Sequence, residues 1–217
     1  MKLHISNQKS AALTPVDVLV VLFVLTVLVA IILPTLTYHS TRKPMLCTEN
    51  LKQVGISFRV WEGENNDKFP MQVSVTNGGT MELASGRNAW INFFVMSNEL
   101  STPKILTCPQ DAKHQPPATN FSSQLAGHIS YFVNLDMKDS DPQSILSGDA
   151  NFEIGGVPVK SGLLELSSNT PIAWTPDRHG AGGYIILGDG SLQSFSNSGL
   201  TNWLQKTGLA TNRLAIP

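Results

Sequence analysis

The chain has 217 residues with 15 basic and 16 acidic side chains, a net charge of -1, and 41% hydrophobic residues, many of them near the N-terminus. A charge balance this close to zero creates no positive field for nucleic acid or for an anionic membrane surface, so we expect no nucleic-acid partner. About 180 residues follow the apolar N-terminal run, which is enough for one domain with its own core.

The N-terminal segment begins with a basic leader, residues 1–12, which carries Lys2 and Lys9 and no acidic residue. Residues 14–34 then form a continuous apolar run with one carboxylate, Asp17, at its start. Because about 20 apolar residues in a helix cross the hydrocarbon layer of a bilayer, we predict a single membrane-spanning helix. The basic leader favours a cytoplasmic N-terminus and an extracytoplasmic remainder.

A secretory signal peptide and an uncleaved signal anchor are two simpler explanations of the N-terminal segment. A secretory signal peptide has a shorter apolar core followed by a small-x-small cleavage site, and residues 31–40, IILPTLTYHS, offer none. An uncleaved signal anchor explains the hydrophobicity equally well. Asp17 also has a local interpretation, because Thr14 and Asp17 stand at the N-cap and N3 positions of a capping box.

The helix is predicted to continue beyond the membrane as an amphipathic segment, residues 37–64. Apolar residues recur there at spacings of four and three: Cys47, Leu51, Val54, Phe58 and Trp61. This period predicts one helical face packed against a sheet, with Gly63 and the asparagines after it as the stop. Pro34 predicts a bend, and Pro44 predicts either a break between residues 39 and 44 or the start of a second helical piece.

The remaining part, residues 65–217, is rich in Asn, Ser, Thr, Gly and Pro, which indicates strands and turns. Asp189 and Gly190 lie between two apolar runs, so we predict a β-hairpin whose two-residue turn gives Gly190 a positive φ. Further predicted strands are residues 72–75, 129–133 and 172–174, residues 89–100 fit either a helix or a strand, and residues 109–127 and 138–147 are predicted loops.

A specific spacing surrounds the start of the apolar run: Ala12 ends the leader, Leu13 follows, Asp17 comes four residues later, and Pro34 closes the run. This pattern resembles the N-terminus of type IV prepilins and of the pseudopilins of type II secretion systems. The resemblance implies cleavage between Ala12 and Leu13 by a prepilin peptidase and N-methylation of Leu13. It also implies an assembly role for Asp17, which would pair with the free α-amino group of a neighbouring subunit in a low dielectric. The family more often has glycine, phenylalanine and glutamate at these three positions.

Several short motifs follow in a fixed order: Cys47 with residues 50–55, residues 66–70, residues 107–109, Ser130-Tyr131 with Asn134, and His179 separated by nine residues from Asp189-Gly190. Their order resembles a family of pilin-like proteins abundant in planctomycetes and verrucomicrobia, in which the His-x9-Asp-Gly pair is a processing-associated motif. The resemblance implies a pilin-like α+β fold. In that fold a long N-terminal helix, transmembrane in its first half (residues 13–36), packs on an antiparallel sheet in an extracytoplasmic α+β head, residues 65–217.

Catalytic and metal-binding residue types are present without their characteristic contexts. The chain contains the residue types of a hydrolase triad, namely His179, many serines and the aspartates Asp149, Asp177 and Asp189. No Gly-x-Ser-x-Gly elbow accompanies them, so we expect no enzymatic activity. Asp136, Asp139 and Asp141 lack the glycine and distal glutamate of an EF-hand, which favours a solvated acidic loop over a calcium site, and we expect no metal or cofactor. Cys47 and Cys108, the only cysteines, are either a disulfide or two buried thiols.

The resemblance implies a structural subunit, major or minor, of a type II secretion pseudopilus or a type IV pilus-like filament. Such a subunit passes once through the inner (cytoplasmic) membrane and has its head in the periplasm. Its partners are the prepilin peptidase, other pilin-like subunits and the membrane. The alternative is a membrane-anchored extracytoplasmic binding protein whose head recognises a glycan or a protein without polymerising.

Overall fold

The structure, a computed structural model, describes residues 14–83, 88–111, 116–180 and 182–217, and the side chains of all of these except residues 34–44. The chain divides into two units, Met1–Arg42 and Lys43–Pro217. Its class is α+β, because an N-terminal apolar helix is followed by an antiparallel sheet. The predicted fold class is therefore confirmed at this level.

The first helix, α1, runs from Pro15 to Glu64. Its stretch Pro15–Leu33 has 19 residues with a mean hydropathy of 3.2 and no buried residue. It is the one helix of the described residues that is long and apolar enough to cross a membrane. The helix continues through Pro34 and Pro44, so the predicted break between residues 39 and 44 is wrong. Each proline forgoes one backbone hydrogen bond, and the bonds of the adjoining turns hold the helix together.

The unit Lys43–Pro217 contains the strands β1 Tyr131–Asn134, β2 Ile145–Asp149, β3 Phe152–Ile154, β4 Val157–Pro158, β5 Gly162–Leu166, β6 Ile172–Trp174, β7 Gly182–Leu187, β8 Leu192–Ser196 and β9 Asn212–Ile216. They form a six-stranded antiparallel sheet with the strand order β5-β9-β1-β2-β7-β8 and a second sheet with the order β4-β3-β6. The other α-helices are α2 Ala89–Val95, α3 Ser97–Leu100 and α4 Asn197–Lys206, and 3-10 turns occupy Pro70–Gln72, Val75–Asn77, Pro103–Leu106 and Ser123–Gly127.

The main sheet carries one apolar core on each face. Neighbouring residues of β1 alternate between them: Tyr131 and Val133 join the core that α1 completes, and Phe132 joins the core that contains α4. Strand β7 divides in the same way, with Ile186 on the α1 side and Ile185 on the α4 side. This alternation follows from the two-residue period of a strand. Both faces of the sheet are therefore covered.

The C-terminal part of α1 packs on the sheet through the face that its spacing predicts. The five apolar residues of that face are all buried: Cys47, Leu51, Val54, Phe58 and Trp61. Gly55 allows a close approach to β7, because a β-carbon there would lie 2.8 Å from Cγ2 of Ile186. The helix ends at Glu64, and Asn66 and Asp67 follow with φ values of 58° and 55°, a left-handed exit that asparagine and aspartate tolerate.

The predicted hairpin is present, but its turn differs in detail. Gly190 has a φ of 81°, and its amide donates to the carbonyl of Leu187 over 2.9 Å. The Leu187 amide then donates to the carbonyl of Ser191, which leaves three residues in the loop. The predicted two-residue turn is thus wrong, and a three-residue loop that ends in left-handed Gly190 replaces it. Such a loop also fits the right-handed twist of the strands.

Other predicted elements agree in part. Residues 172–174 form β6 and residues 129–133 largely form β1, as predicted, and residues 89–100 are helical. The predicted strand at residues 72–75 is wrong, because that segment holds parts of two 3-10 turns. The predicted loop at residues 138–147 is wrong at its end, where Ile145 begins the central strand β2.

Candidate functional site

The start of α1 is a reciprocal capping box. The backbone amide and the Oγ1 hydroxyl of Thr14 both donate to Oδ2 of Asp17 over 2.8 Å, and the Asp17 amide donates to Thr14 Oγ1 over 3.3 Å. The Asp17 side chain therefore satisfies the first turn of the helix within its own chain. The predicted cleavage and methylation residues, Ala12 and Leu13, lie outside the described residues, and processing there stays a prediction.

In the head, the motifs that resemble the pilin-like family meet around a disulfide. Cys47 of α1 and Cys108 are bonded across a sequence separation of 61, with their Cα atoms 4.9 Å apart. Both residues are buried. The bond ties the helix to the loop that precedes β1, so of the two states left open by the sequence the structure contains the disulfide.

His179 of the His-x9-Asp-Gly motif packs directly on this disulfide. Its Nε2 atom lies 3.5 Å from Sγ of Cys108 and 3.4 Å from Oδ2 of Asp149. The edge of its ring meets Tyr184, with the ring centroids 4.7 Å apart. Only 6% of the His179 side chain is exposed. The histidine thus connects the loop before β7 to the disulfide and to the end of β2.

Arg178, the residue before this histidine, is the centre of a buried ionic network. Its Nη1 donates to the carbonyl of Ser130 over 2.8 Å and to Oδ1 of Asp149 over 3.3 Å, and its Nη2 pairs with Oδ2 of Asp111. The second oxygen of Asp149 accepts from the Tyr184 amide over 2.8 Å. Since a buried charge without its partner costs several kcal/mol, loss of one member of this network destabilises the rest.

The hydroxyl of Tyr131 belongs to the same buried region. It has no hydrogen-bond partner among the described residues. Burial, together with the negative charge of Asp149, raises the pKa of this phenol well above its usual value. The tyrosine therefore stays neutral and serves as a core side chain beside the charges.

The Cys-Pro and Ser-Tyr motifs lock together beside the disulfide. Oγ of Ser130 accepts from the Cys108 amide over 2.9 Å, and the Ser130 amide donates to the carbonyl of Leu106 over 2.9 Å. The side-chain amide of Asn50, on α1, donates to the carbonyl of Thr107 over 3.2 Å. These bonds satisfy polar groups of the backbone in the loop that carries Cys108. They give a physical reason why residues from three separate motifs contact one another.

The other end of the His-x9-Asp-Gly motif also contacts α1. A β-carbon on Gly190 would lie 3.2 Å from Cγ of Arg59, and Nη1 of Arg59 donates to the carbonyl of Gly188 over 3.3 Å. Asp189 accepts from the Ser191 amide over 2.8 Å and from the Gln143 side chain over 3.1 Å. The hydrogen bonds from Ser191 lower the pKa of Asp189 and keep its carboxylate charged.

The nine residues between His179 and Asp189 span a length similar to that of the packed part of α1. Arg59 follows Cys47 by twelve residues, slightly more than three helical turns and a rise of ~18 Å. Strand β7, which separates His179 from the Asp-Gly turn, has six residues and spans ~20 Å. The two ends of β7 therefore place His179 and the Asp-Gly turn at opposite ends of the packed part of α1. Between these ends, Gly55 allows close contact between α1 and β7.

Beside the Arg59 anchor lies a buried carboxyl group that the sequence does not reveal. Glu62 is 1% exposed, and its Oε2 lies 3.0 Å from Nη1 of Arg59. Burial, and then a hydrogen bond with Asp139, raise the pKa of Glu62 from 4.5 to about 7. Asp139 in turn accepts from Nη1 of Arg59 over 3.0 Å.

Of the three aspartates considered for calcium, two bind different arginines. Asp136 accepts from Nε of Arg213 over 2.9 Å, Asp139 binds Arg59, and Asp141 is exposed. They do not gather their oxygens at a common point: within the described part of the chain, the residues whose ligand atoms cluster within 4.8 Å are Cys47, Cys108 and His179.

The ionic network beside His179 was not predicted. Arg178 adjoins His179 in sequence, but its partners Asp111 and Asp149 lie 67 and 29 residues away from Arg178. The one local signal is the Arg-His pair at the start of the motif. Comparison of the chain with models of protein families, with characterised proteins and with solved structures found no match.

Proposed function

We propose that this chain is a membrane-anchored structural subunit of a pilin-like filament, either a type II secretion pseudopilus or a type IV pilus-like fibre. The observation that supports this most is helix α1, which has an exposed apolar stretch, Pro15–Leu33, and later contributes its residues to the core of the head. One continuous element thus belongs both to a membrane-compatible segment and to a folded domain.

The apolar stretch matches the thickness of a bilayer. Its 19 residues correspond to a helix of ~28 Å, close to the ~30 Å of the hydrocarbon core. Large side chains are exposed along its whole length, from Val16 at 65% to Leu33 at 57%. An apolar surface of this kind needs lipid or other helices as its surroundings, and a subunit that leaves the bilayer for a filament exchanges one for the other.

In the proposed filament, Asp17 has a second partner besides Thr14. Cleavage after Ala12 creates a free α-amino group on Leu13, and this cation in a neighbouring subunit pairs with the carboxylate of Asp17. An unpaired carboxylate within an apolar span costs up to ~3 kcal/mol, which the pairing offsets. The pair fixes the axial register of adjacent subunits.

The remaining partners follow from this role. The prepilin peptidase removes the leader, related subunits surround α1, and the chain sits in the inner membrane with its N-terminus cytoplasmic and its head periplasmic. The head has no enzymatic task and binds no nucleic acid in this proposal. Its buried network of Arg178, Asp111, Asp149 and His179 stabilises the domain that the filament displays.

Three variants of the same capping box separate the effect of charge pairing from that of capping, and the third, Asp17→Glu, keeps the charge. Asp17→Asn keeps a hydrogen-bond acceptor at N3 but removes the charge, and Thr14→Ala removes the cap but keeps the charge. We expect filaments, isolated by shearing and examined by electron microscopy, to be lost with Asp17→Asn and kept with Thr14→Ala and with Asp17→Glu. Membrane insertion should survive in all three. Normal filaments from Asp17→Asn would refute the pairing.

Processing is tested on the same material. Mass spectrometry of the N-terminal peptide should find a mature chain that begins at Leu13 and is N-methylated. An intact Met1 peptide in cells with an active prepilin peptidase would favour an uncleaved signal anchor instead.

A second function, an anchored binding protein, is favoured by one groove in the head. The groove has a volume of about 450 Å³ and is lined by aromatic, amide and charged side chains: Phe195, Trp203, Asn202, Gln143 and Lys206. Aromatic rings beside a few polar groups are typical of small-ligand sites. Two results together would favour an anchored binding protein over a filament subunit. No filament would form under any condition that induces the secretion or pilus genes of the host, and the head would bind an oligosaccharide on a glycan array.

A further inference from the structure

The residues that hold α1 to the head also have the composition of a soft-metal site. Sγ of Cys47, Sγ of Cys108 and a ring nitrogen of His179 lie within 4.8 Å of one another. We propose that, when the Cys47–Cys108 disulfide is reduced, these three side chains bind a divalent zinc-like cation, so that a metal replaces the covalent bond as the link between α1 and the loop at Cys108.

The histidine is already at the distance that such a site needs. With Zn–S bonds of ~2.3 Å and Zn–N bonds of ~2.05 Å, tetrahedral geometry places a sulfur and a nitrogen ~3.6 Å apart. Nε2 of His179 lies 3.5 Å from Sγ of Cys108. The two sulfurs must separate to ~3.8 Å once their bond is broken. We infer that rotation of the two cysteine side chains, whose Cα atoms lie 4.9 Å apart, provides this separation.

Charge and softness both favour this ion. Two thiolates and a neutral imidazole are the donor set typical of zinc, and the two negative charges cancel those of the ion in a buried place. Asp149, whose Oδ2 lies 3.4 Å from the same nitrogen, offers an oxygen for the fourth position. Arg178 holds the other oxygen of that carboxylate, and the Tyr184 ring supports the imidazole from the side. The surroundings of a metal centre are thus present.

Reduction of the Cys47–Cys108 disulfide and binding of the metal need only an external reductant and water. A phosphine reductant gives two electrons to the disulfide and is oxidised to its oxide, with water supplying the oxygen and the two thiol protons. Binding of the cation then releases those two protons to solvent. In a reducing compartment the metal would hold α1 to the head, and in an oxidising compartment the disulfide would do so.

The experiment uses the full chain in detergent micelles, reduced with a phosphine under argon, with Co²⁺ as an optical probe. We expect a thiolate-to-cobalt charge-transfer band and tetrahedral d–d bands that saturate at one ion per chain and disappear on addition of Zn²⁺. The oxidised chain is the matched control, since it has the same sequence without free thiols, and it should give no bands. His179→Ala should weaken Co²⁺ binding at least about tenfold, whereas His128→Ala, a histidine outside this group, should not.

Three results would overturn the proposal: a reduced chain that keeps its near-ultraviolet circular dichroism but shows no saturable bands, an oxidised chain that gives the same bands, or His179→Ala that binds as tightly as the parent. Should reduction itself unfold the head, addition of Zn²⁺ is decisive. Recovery of the native spectrum then supports the metal link, and failure to recover it contradicts the link.

Discussion

The buried Glu62 carboxyl makes the stability of the head depend on pH in a direction opposite to that of most acidic groups. Its pKa is raised from 4.5 to about 7 because it lies buried beside Asp139. Between these two values the folded chain keeps the proton that the unfolded chain has lost, so the free energy of unfolding falls as the pH rises. The contribution of Glu62 is complete below pH 4.5 and is gone above pH 7.

The magnitude follows from the size of the shift. Each pH unit corresponds to about 1.36 kcal/mol, so the interval from 4.5 to about 7 gives an upper value of about 3 kcal/mol. The pKa of Asp139 is lowered, because Glu62 and Arg59 both hydrogen-bond to its carboxylate. That contribution is lost only below pH 3.8, the usual pKa of an aspartate, and so it lies outside this interval.

Glu62→Gln tests this directly, because the amide resembles the protonated acid and does not titrate. We expect the variant and the parent to differ little at pH 4.5, and the variant to gain up to about 3 kcal/mol relative to the parent by pH 8. The measurement is urea unfolding of the isolated unit Lys43–Pro217 across this range. Glu64→Gln, an exposed position two residues later, is the control and should follow the parent within about 0.5 kcal/mol. A constant difference between Glu62→Gln and the parent at all pH values would refute the reasoning.

Further predictions concern the packing of α1 against the hairpin and the core, all measured by thermal or urea unfolding of the same unit. Gly190→Val should lower the free energy of unfolding more than Gly156→Val, since both glycines have a φ of 81° but only Gly190 lies against another side chain. The conformational strain alone costs about 1–3 kcal/mol. Equal losses of stability in the two variants would show that the contact with α1 contributes nothing. His179→Ala should be milder than Gly190→Val, because Asp149 keeps its other partners, and the opposite ranking would contradict this. Phe58→Ala should cost about 3–5 kcal/mol, whereas Ile56→Ala, 52% exposed, should cost far less.

The sequence predicts α1 well because the relevant signal is local. A run of Val, Leu and Ile without charges defines the apolar stretch, and a spacing of three and four defines the buried face after it. Strand β6 is equally clear from three apolar residues between turn residues. Residues 72–75 fail for a local reason as well: Gln72 Oε1 accepts from the Phe69 amide over 2.9 Å, and this box starts a 3-10 turn where apolar alternation suggests a strand.

Structural features that depend on contacts between residues distant in sequence could not be predicted. Strand β2 has the sequence ILSGD, whose polar residues suggest a loop, yet it is fully buried between β1 and β7. Its Gly148 is needed there because a β-carbon would lie 2.7 Å from the carbonyl oxygen of Tyr184. The network around Arg178 is similar, since its carboxylates come from distant segments. A contact between residues far apart leaves no periodic trace in the sequence.

The position of the disulfide gives the head a mechanical property. Cys47 lies at the N-terminal edge of the part of α1 that is packed on the sheet, four residues after the unit begins at Lys43. A pulling force transmitted along the helix towards the head therefore meets a covalent bond before it reaches the noncovalent contacts at Leu51, Val54 and Phe58. Peeling of the helix from the sheet, turn by turn, cannot start at that end while the bond is intact. If the chain forms the proposed filament, a subunit under tension would then yield in the chain outside the crosslink before its core opens.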